Sequence, residues 1–599
     1  MMHRSRTLAL AALALLHAGA LHAQKPLNLD LERPGFAYPG TPWGWYTADQ
    51  DDPSLGHPAQ MDSVVRHGGR WSLRVARDSA AGPWFGESWF AGDALAGRRV
   101  RLSGWVRTQN VQGGSAALRV DAMDGNYQTL SVDSMPGRAL RGTAGWTQLV
   151  VETTLGENVR ALGVGGQVSG TGTVWFDDLV LEIDGRAVTT EPGPAPPTAA
   201  QRAWLRSAAV PFASVEPGGD DADLAAFRSL VGDARVVSLG EGTHGTREFF
   251  TLKHRMIESL VRRMGFGVVM LEANQLQAER INRYVLTGQG SAREALSGVF
   301  KVLQTDEVLA MVEWARAWNA SGRGRVEVVG YDMQDPRLPM DSVLAFLRTA
   351  DPAFAPEAER AYAAMHTAWL PGPYPVRPDS VVRAWSASAD VVRRHVREHA
   401  PAYLARGADR ARVAWAVQNA EVAFQSASLG DLTPQSVRDS AMAANIAWTL
   451  AQRPAGTRAV VWAHNSHVMR GPGWMGTYLD QMLPGQVRVV GFTTAEGAYT
   501  AAGNWARDAA SRTMGEFPLA PVPPPPGSLA AELYALGAAR LLLDLRGAAA
   551  GEGAWLAEPR PFLGIGGRVV DYGYYTIPIA RLYDAVVYLR TTTASRPMR

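Results

Sequence analysis

A chain of 599 residues with 46% apolar and 19% charged side chains is too long for one hydrophobic core and too apolar for a disordered polymer, so two or more globular domains are expected. A formal charge of +2, from 59 basic and 57 acidic residues, gives no electrostatic footprint for nucleic acid. The lack of cysteine excludes disulfides, thiolate nucleophiles and Cys-ligated zinc together.

The chain opens MMHRSRTLALAALALLHAGALHAQ. Arg4 and Arg6 precede a leucine/alanine run, and the small Ala23 follows it, so residues 1–23 read as a secretory leader. Cleavage near Ala23 would place the mature protein in the periplasm or outside the cell. The run falls short of the roughly 20 apolar residues that a membrane span needs, and no later segment supplies one.

Residues 24–186 read as an all-β sandwich. Runs rich in Val, Leu, Trp and Thr at 99–109, 116–123, 145–154 and 173–183 are separated by glycine-containing turns. Tryptophans 43, 45, 71, 84, 89, 105, 146 and 175 fall here. Core packing is the leading reading for them, since large aromatics dominate burial in such folds. Stacking on sugar rings is the alternative. GGRWSL at 68–73 and VWFDDLVLE at 174–182 resemble galactose-binding-like modules, which implies a jelly roll and names carbohydrate as this domain's partner.

A Pro/Ala-rich stretch at 187–200 marks a boundary. From 201 to 599 short apolar runs alternate with helical stretches. The runs are RVVSLG (235–240), GVVMLEA (267–273), VEVVGYD (326–332), AVVWAH (459–464), VRVVGF (487–492), RLLLDLR (540–546) and AVVYLR (585–590). Such alternation predicts an α/β domain with a largely parallel sheet. Residues 350–455 carry no convincing strand and read as an inserted helical subdomain lidding the crevice.

The polar residues that end these runs form a pattern. Glu241 and His244 follow the first, Glu272 ends the second and Asp332 the third; His464 and His467 follow the fourth, and Arg546 ends LLLDLR. Singly each has an ordinary structural explanation, as an N-cap, a turn residue or a satisfied core histidine. In a parallel sheet, however, all carboxyl ends share one edge, and ligands bind outside it. No G-x-S-x-G elbow, P-loop, dinucleotide fingerprint or H-E-x-x-H helix is present. Imidazole plus carboxylate remain, the equipment for activating water by general-base catalysis. Glu241 can hold His244 in one tautomer. Glycines 242 and 245 would let backbone N–H groups approach a reacting oxygen, and the helix opening near Arg247 would add its dipole.

LGEGTHGTREFFTLKHRMIESLV, GFGVVMLEANQLQAERINRYVLTG, VVWAHNSHV and YDAVVYLRTTTASR resemble the erythromycin esterase family over about 390 residues, roughly 205 to 595. The resemblance implies a hydrolase that opens the lactone ester of macrolides with histidine-activated water and no serine nucleophile. It makes His244 the general base, Glu241 and Glu272 its supporting carboxylates, and His464 and His467 orienting or oxyanion-stabilising groups. An arginine is expected where Lys253 stands; the charge is kept and the bidentate fork lost. Arg247, Lys253, Asp332 and Arg546 are the candidates for binding substrate or oxyanion. The leader and the β-sandwich depart from the resistance enzymes, which points to another ester, glycosylated or polymer-borne, as natural substrate and makes macrolide cleavage one possibility for this small-molecule ester site. Two further readings stand beside this one. Glu241, His244, Glu272, His464 and His467 are admissible ligands for a divalent metal, hence a metal-dependent hydrolase or peptidase; no other cofactor is called for. A non-catalytic glycan- or ligand-binding protein is the second.

Overall fold

The computed structural model describes residues 22–598 apart from 36, 38–39, 51–54, 56–57, 80–81, 92–94, 125–128, 370–378, 430–434, 504–513 and 520–521. Residues 1–21 of the expected leader therefore lie outside the described residues. Among the described residues no helix is long and apolar enough to cross a membrane.

One strand organises the N-terminal half. Arg99–Met123 is 25 residues long and bends where Asn110 and Gly113 take positive φ, at 56° and 67°. Before the bend it pairs with Thr171–Ile183 and with most of Leu140–Thr154, a pairing that runs on to Ala116; after it, with Ala161–Val168 and Thr129–Asp133. The result is a ten-stranded antiparallel sheet that curls on itself. Trp84, Leu102, Leu118, Val164 and Phe176 fill the space it encloses. Only three of the eight tryptophans, Trp45, Trp84 and Trp175, are buried. Their indole N–H groups find partners in Leu27 O and Asn28 O, in Asp49 and in Asp62, respectively. Trp43, Trp71, Trp89, Trp105 and Trp146 remain half-buried, so the core reading holds for the minority.

The Pro/Ala stretch is not all extended linker. Thr190–Gly193 pairs antiparallel with His22–Pro26. Thr198 then starts the helix Ala199–Ala208 with a capping box to Gln201.

The second half is built on a nine-stranded mixed sheet. In spatial order its strands are Ala209–Pro211, Arg540–Asp544, Ala585–Thr592, Val487–Ala502, Val236–Leu239, Arg458–Trp462, Phe266–Asn274 and Glu327–Asp332, with Met514–Pro518 paired to the distal part of Val487–Ala502. From Ala585–Thr592 to Glu327–Asp332 every neighbouring pair is parallel. Arg540–Asp544 runs against Ala585–Thr592, and Ala209–Pro211 against Arg540–Asp544.

All of Val236–Leu239 is buried, as a central strand covered on both faces must be. Phe249, Leu252, Ile257, Ala278, Ile281, Val308 and Val312, from helices Arg247–Met264, Gln275–Thr287 and Asp306–Ala320, cover one face. Met442, Ile446, Leu479 and Leu533, from Gln435–Ala451, Met475–Met482 and Leu529–Ala535, cover the other. The expected helical insertion therefore divides. Arg337–Ala350, Ala355–Ala368, Asp379–Ala405 and Arg410–Ala427 pack around their own core of Met340, Tyr362 and Tyr403, whereas Gln435–Ala451 belongs to the sheet.

The two halves touch. Backbone N–H groups of Ala37 and Gly44 donate to the Asp571 carboxylate at 2.8 and 3.3 Å, and Trp43 meets Tyr572 edge-on at 6.0 Å. A few residues upstream, Ile565 donates its N–H to Gly242 O at 2.7 Å and accepts from His244 N–H at 3.3 Å.

Candidate active site

Val236–Leu239 and Arg458–Trp462 lie side by side, and their continuations meet just beyond the sheet edge. Asn465 ties them together. Its N–H donates to Glu241 O at 2.9 Å, its side chain exchanges hydrogen bonds with the Phe492 backbone, and Tyr583 OH donates to its carbonyl at 3.1 Å. Gly245 is required because a Cβ there would run into the Thr500 carbonyl. That close approach fixes where the 241–245 turn ends.

Glu241 is 1% exposed and accepts three hydrogen bonds. His244 Nδ1 donates to Oε1 at 2.7 Å. Lys253 Nζ and Trp462 Nε1 donate to Oε2 at 2.5 and 2.9 Å. A carboxylate can only accept, so Nδ1 of His244 carries the proton, which leaves Nε2 as the ring's basic nitrogen. The His244 side chain keeps 16% exposure, against 7% or less for His464 and His467 as whole residues.

His464 has the opposite tautomer. Its Nδ1 accepts the Ser466 backbone N–H at 3.2 Å and lies 2.8 Å from Ser466 Oγ, so the ring proton belongs on Nε2. Burial, with His244 and His467 nearby, holds its pKa well below the ordinary histidine value, so the ring is neutral. Its Nε2 has no hydrogen-bond partner among the described residues. The His244 and His464 rings lie 5.0 Å apart. A ring with a free basic nitrogen and a ring with an unpaired N–H are thus neighbours.

Glu272 holds the adjoining network. Its Oε2 accepts His464 N–H at 3.0 Å, and its Oε1 accepts Arg438 at 2.9 Å and lies 3.4 Å from His467 Nε2. Burial pushes this carboxyl up, but His467, His244 and Arg438 outweigh it and hold its pKa well below the usual carboxylate range. His467 donates Nδ1–H to Asp439 at 2.9 Å, and its Nε2 accepts from Arg438 at 2.9 Å. Burial lowers its pKa, yet Glu272 and Asp439 together raise it above the ordinary value; on protonation its Nε2–H faces Glu272.

Glu241, His244, Glu272, His464, His467 and Lys253 are therefore brought together, Asp332 joins them through Arg438, and Arg247 and Arg546 do not. Asp332 is fully buried and accepts Arg438 at 2.7 Å, which ties it to the same guanidinium as Glu272 and His467. Arg247 is paired with Glu216 and Glu248 at 2.9 and 3.3 Å. Arg546 lies at the opposite edge of the sheet, because Arg540–Asp544 runs antiparallel, and it binds Asp544 and Leu230 O. Three N–H groups of this turn are occupied: His244 N–H by Ile565 O, Gly245 N–H by Thr243 Oγ1 and Arg247 N–H by Thr593 O. Arg438 and Asp439 went unread in the sequence, although they are the only charged residues of the helix Gln435–Ala451, which was the available signal.

Among the described residues no group of three or more His, Asp or Glu side chains is arranged to hold a metal ion. Lys253 lies 2.5 Å from Glu241 and Arg438 2.9 Å from Glu272, so the two carboxylates that a metal would need already face cations.

Lys253 is fully buried, donates to Ala463 O at 3.2 Å and lies 4.6 Å from the Trp462 ring centroid. Burial lowers its pKa to about 8, against the opposing pull of Glu241. Below that pH it is the cation that anchors Glu241; above it the anchor loses its charge. Activity is expected to fall as pH rises past about 8. In Lys253→Arg, whose guanidinium stays charged, that alkaline limb should disappear from the pH–rate profile. An unchanged limb in the variant would show that another group titrates there.

The comparison that assigns the chain spans residues 261–592, more than half of its length, where the family model described as erythromycin esterase matches. The chain belongs to the erythromycin esterase family. The match takes in Glu272, Asp332, Arg438, His464 and His467, and begins after Glu241, His244 and Lys253. Erythromycin esterase type II of Escherichia coli is 30% identical over 154 residues, 25% of this chain and 36% of that protein. The chain spans about a third of the length of the curated relatives it matches first. The crystal structure of a succinoglycan biosynthesis protein superposes with a TM-score of 0.56 at 25% identity, over 67% of this chain and 98% of that one. An erythromycin esterase mutant, EreC, in its open conformation gives 0.52 at 18% identity over 64% and 96%, a likeness of fold.

Proposed function

We propose that this erythromycin esterase family member hydrolyses a carboxylic ester, a macrolide lactone or a related ester, with water activated by His244. The observation that carries the reading is the opposed pair of tautomers: Glu241 accepts the Nδ1–H hydrogen bond of His244 at 2.7 Å, and the Nε2–H of His464, 5.0 Å away between ring centroids, has no partner among the described residues. Nε2 of His244 removes a proton from water as the oxygen attacks the ester carbonyl. The oxyanion that forms accepts the His464 N–H. Collapse breaks the acyl C–O bond, and the imidazolium of His244 returns its proton to the departing alkoxide.

The leader-like N-terminus supports export. The curled sheet of residues 24–186 supports a galactose-binding-like jelly roll that binds carbohydrate.

Erythromycin incubated with the protein in ¹⁸O-labelled water tests the reading by mass spectrometry. Direct attack by water puts one labelled oxygen into the carboxylate of the opened drug at the first turnover, and a chelator leaves the rate unchanged. Label appearing first in Glu241 or Glu272 would replace the mechanism by carboxylate attack. Loss of activity with chelator, restored by added metal ion, would replace it by a metal-dependent one. An unaltered drug would move the search to other esters.

A further inference from the structure

One half-buried tryptophan, Trp89, falls where the register of the N-terminal sheet gathers polar groups on one face. Pairing sets Tyr46 beside Glu87, Glu87 and Arg119 beside Gly165, and Trp89 and Asp121 beside Gly163. Paired residues of neighbouring strands share a face, so aromatic, acidic and basic groups line up over two glycines. The Tyr46 and Trp89 rings lie 5.2 Å apart, and the Arg119 guanidinium lies 4.3 Å from the Phe85 ring centroid. Glu87 accepts Trp89 Nε1 at 2.7 Å and Arg119 Nε at 3.3 Å. Arg119 also reaches Gln167 at 3.0 Å and Asp121 Oδ2 at 2.8 Å. A Cβ at Gly163 would meet the Glu87 carboxylate carbon at 2.5 Å, so glycine lets that carboxylate lie flat on the sheet. Asp121 is 4% exposed, yet its Oδ1 has no partner among the described residues. Beside Ala117 and Gln167, on the same face, a 290 Å³ cavity opens toward Ser134 and Arg141.

We propose that this face is a binding groove for a neutral oligosaccharide. The assignment rests on the reading that the N-terminal domain binds carbohydrate, and it adds the place and the charge of the ligand. Tyr46 and Trp89 offer the flat apolar surface on which the C–H face of a pyranose packs. Glu87, Asp121 and Gln167 are planar acceptors suited to neighbouring hydroxyls, and the unpaired Asp121 oxygen is a buried acceptor that a hydroxyl would satisfy. Two carboxylates against one guanidinium disfavour uronic or sulfated sugars. Three inter-strand steps of about 4.8 Å separate the strands of Tyr46 and Arg119, roughly 14 Å in all, enough for more than one sugar ring.

Affinity electrophoresis of the whole protein through gels containing xylan, mixed-linkage glucan or galactomannan tests the groove, with polygalacturonate as the anionic control. At least one neutral polysaccharide should retard the wild type, and polygalacturonate should not. Trp89→Ala and Arg119→Ala should each weaken retardation about tenfold, with unchanged melting temperature and ester hydrolysis; Tyr46→Ala, at the sheet edge, serves if either unfolds. Retardation that survives in all variants would place the carbohydrate site elsewhere and leave the broader reading standing. Wild type unretarded by any neutral polysaccharide would overturn both. Retardation by polygalacturonate alone would overturn the neutral ligand.

Discussion

His244→Ala is expected to lower kcat/KM for the ester substrate by about 10²- to 10⁴-fold, the range that a general base contributes. The fold should survive the change. Glu241 Oε1 loses the Nδ1–H donor, but Oε2 keeps Lys253 at 2.5 Å and Trp462 at 2.9 Å, so the carboxylate remains anchored. One unpaired buried acceptor costs about 1–3 kcal/mol, which a urea titration would measure beside the kinetics. A rate within a few-fold of wild type, in a folded variant, would remove His244 from the mechanism. His464→Ala is the companion: it retains the base and loses the N–H donor, so its deficit should lie in kcat more than in KM.

Arg438→Met is expected to be the most destabilising single change in the site, by about 3–5 kcal/mol at neutral pH, because it leaves buried charges uncompensated. Arg438 donates to Glu272 at 2.9 Å, to Asp332 at 2.7 Å and to His467 at 2.9 Å, and all three are buried. The effect has a signed pH dependence. Glu272 has a folded-state pKa below its unfolded value of 4.5. Its contribution to stability is therefore present above pH 4.5 and is lost as pH falls toward the folded value. Removing Arg438 reduces that contribution, so the gap between wild type and variant should narrow on acidification below about pH 4.5. Chemical denaturation at pH 7 and pH 4 tests both statements; a loss under about 1 kcal/mol, or a gap that widens in acid, would refute them. Arg438→Lys should restore part of the stability, since a single ammonium cannot satisfy both carboxylates and the imidazole in one plane.

The part of the site that could be read from sequence is the part built on strand ends. Apolar runs broken by Glu241, Glu272 and His464 declared both the strands and the edge at which they finish. The pattern carried no direction, however. LLLDLR reads the same whether its strand runs with its neighbours or against them, and only pairing with Ala585–Thr592 shows that Arg546 points away. Asp332 ends its strand as expected, yet it faces Arg438, a residue 106 positions further on. Arg438 and Asp439 were hidden because Gln435–Ala451 follows four helices with a core of their own, and no periodicity marks where that core ends and the sheet's cover begins. The N–H groups around His244 illustrate a further limit: glycines announce close backbone approach, but here the approach is to Thr500 and Ile565, and it engages the N–H of His244 itself.

The hydrogen bonds from Ala37 and Gly44 to Asp571 bear on how this chain can be cut and recombined. The same segment continues through Ile565 to the backbone of Gly242 and His244, so the N-terminal domain braces the turn that carries His244. A fragment begun at the family boundary of 261 would discard the central strand together with Glu241, His244 and Lys253. One begun at 201 would keep them all and strip Asp571 of two donors. Swapping the N-terminal domain for another, as one exchanges cassettes, would mean rebuilding this seam first.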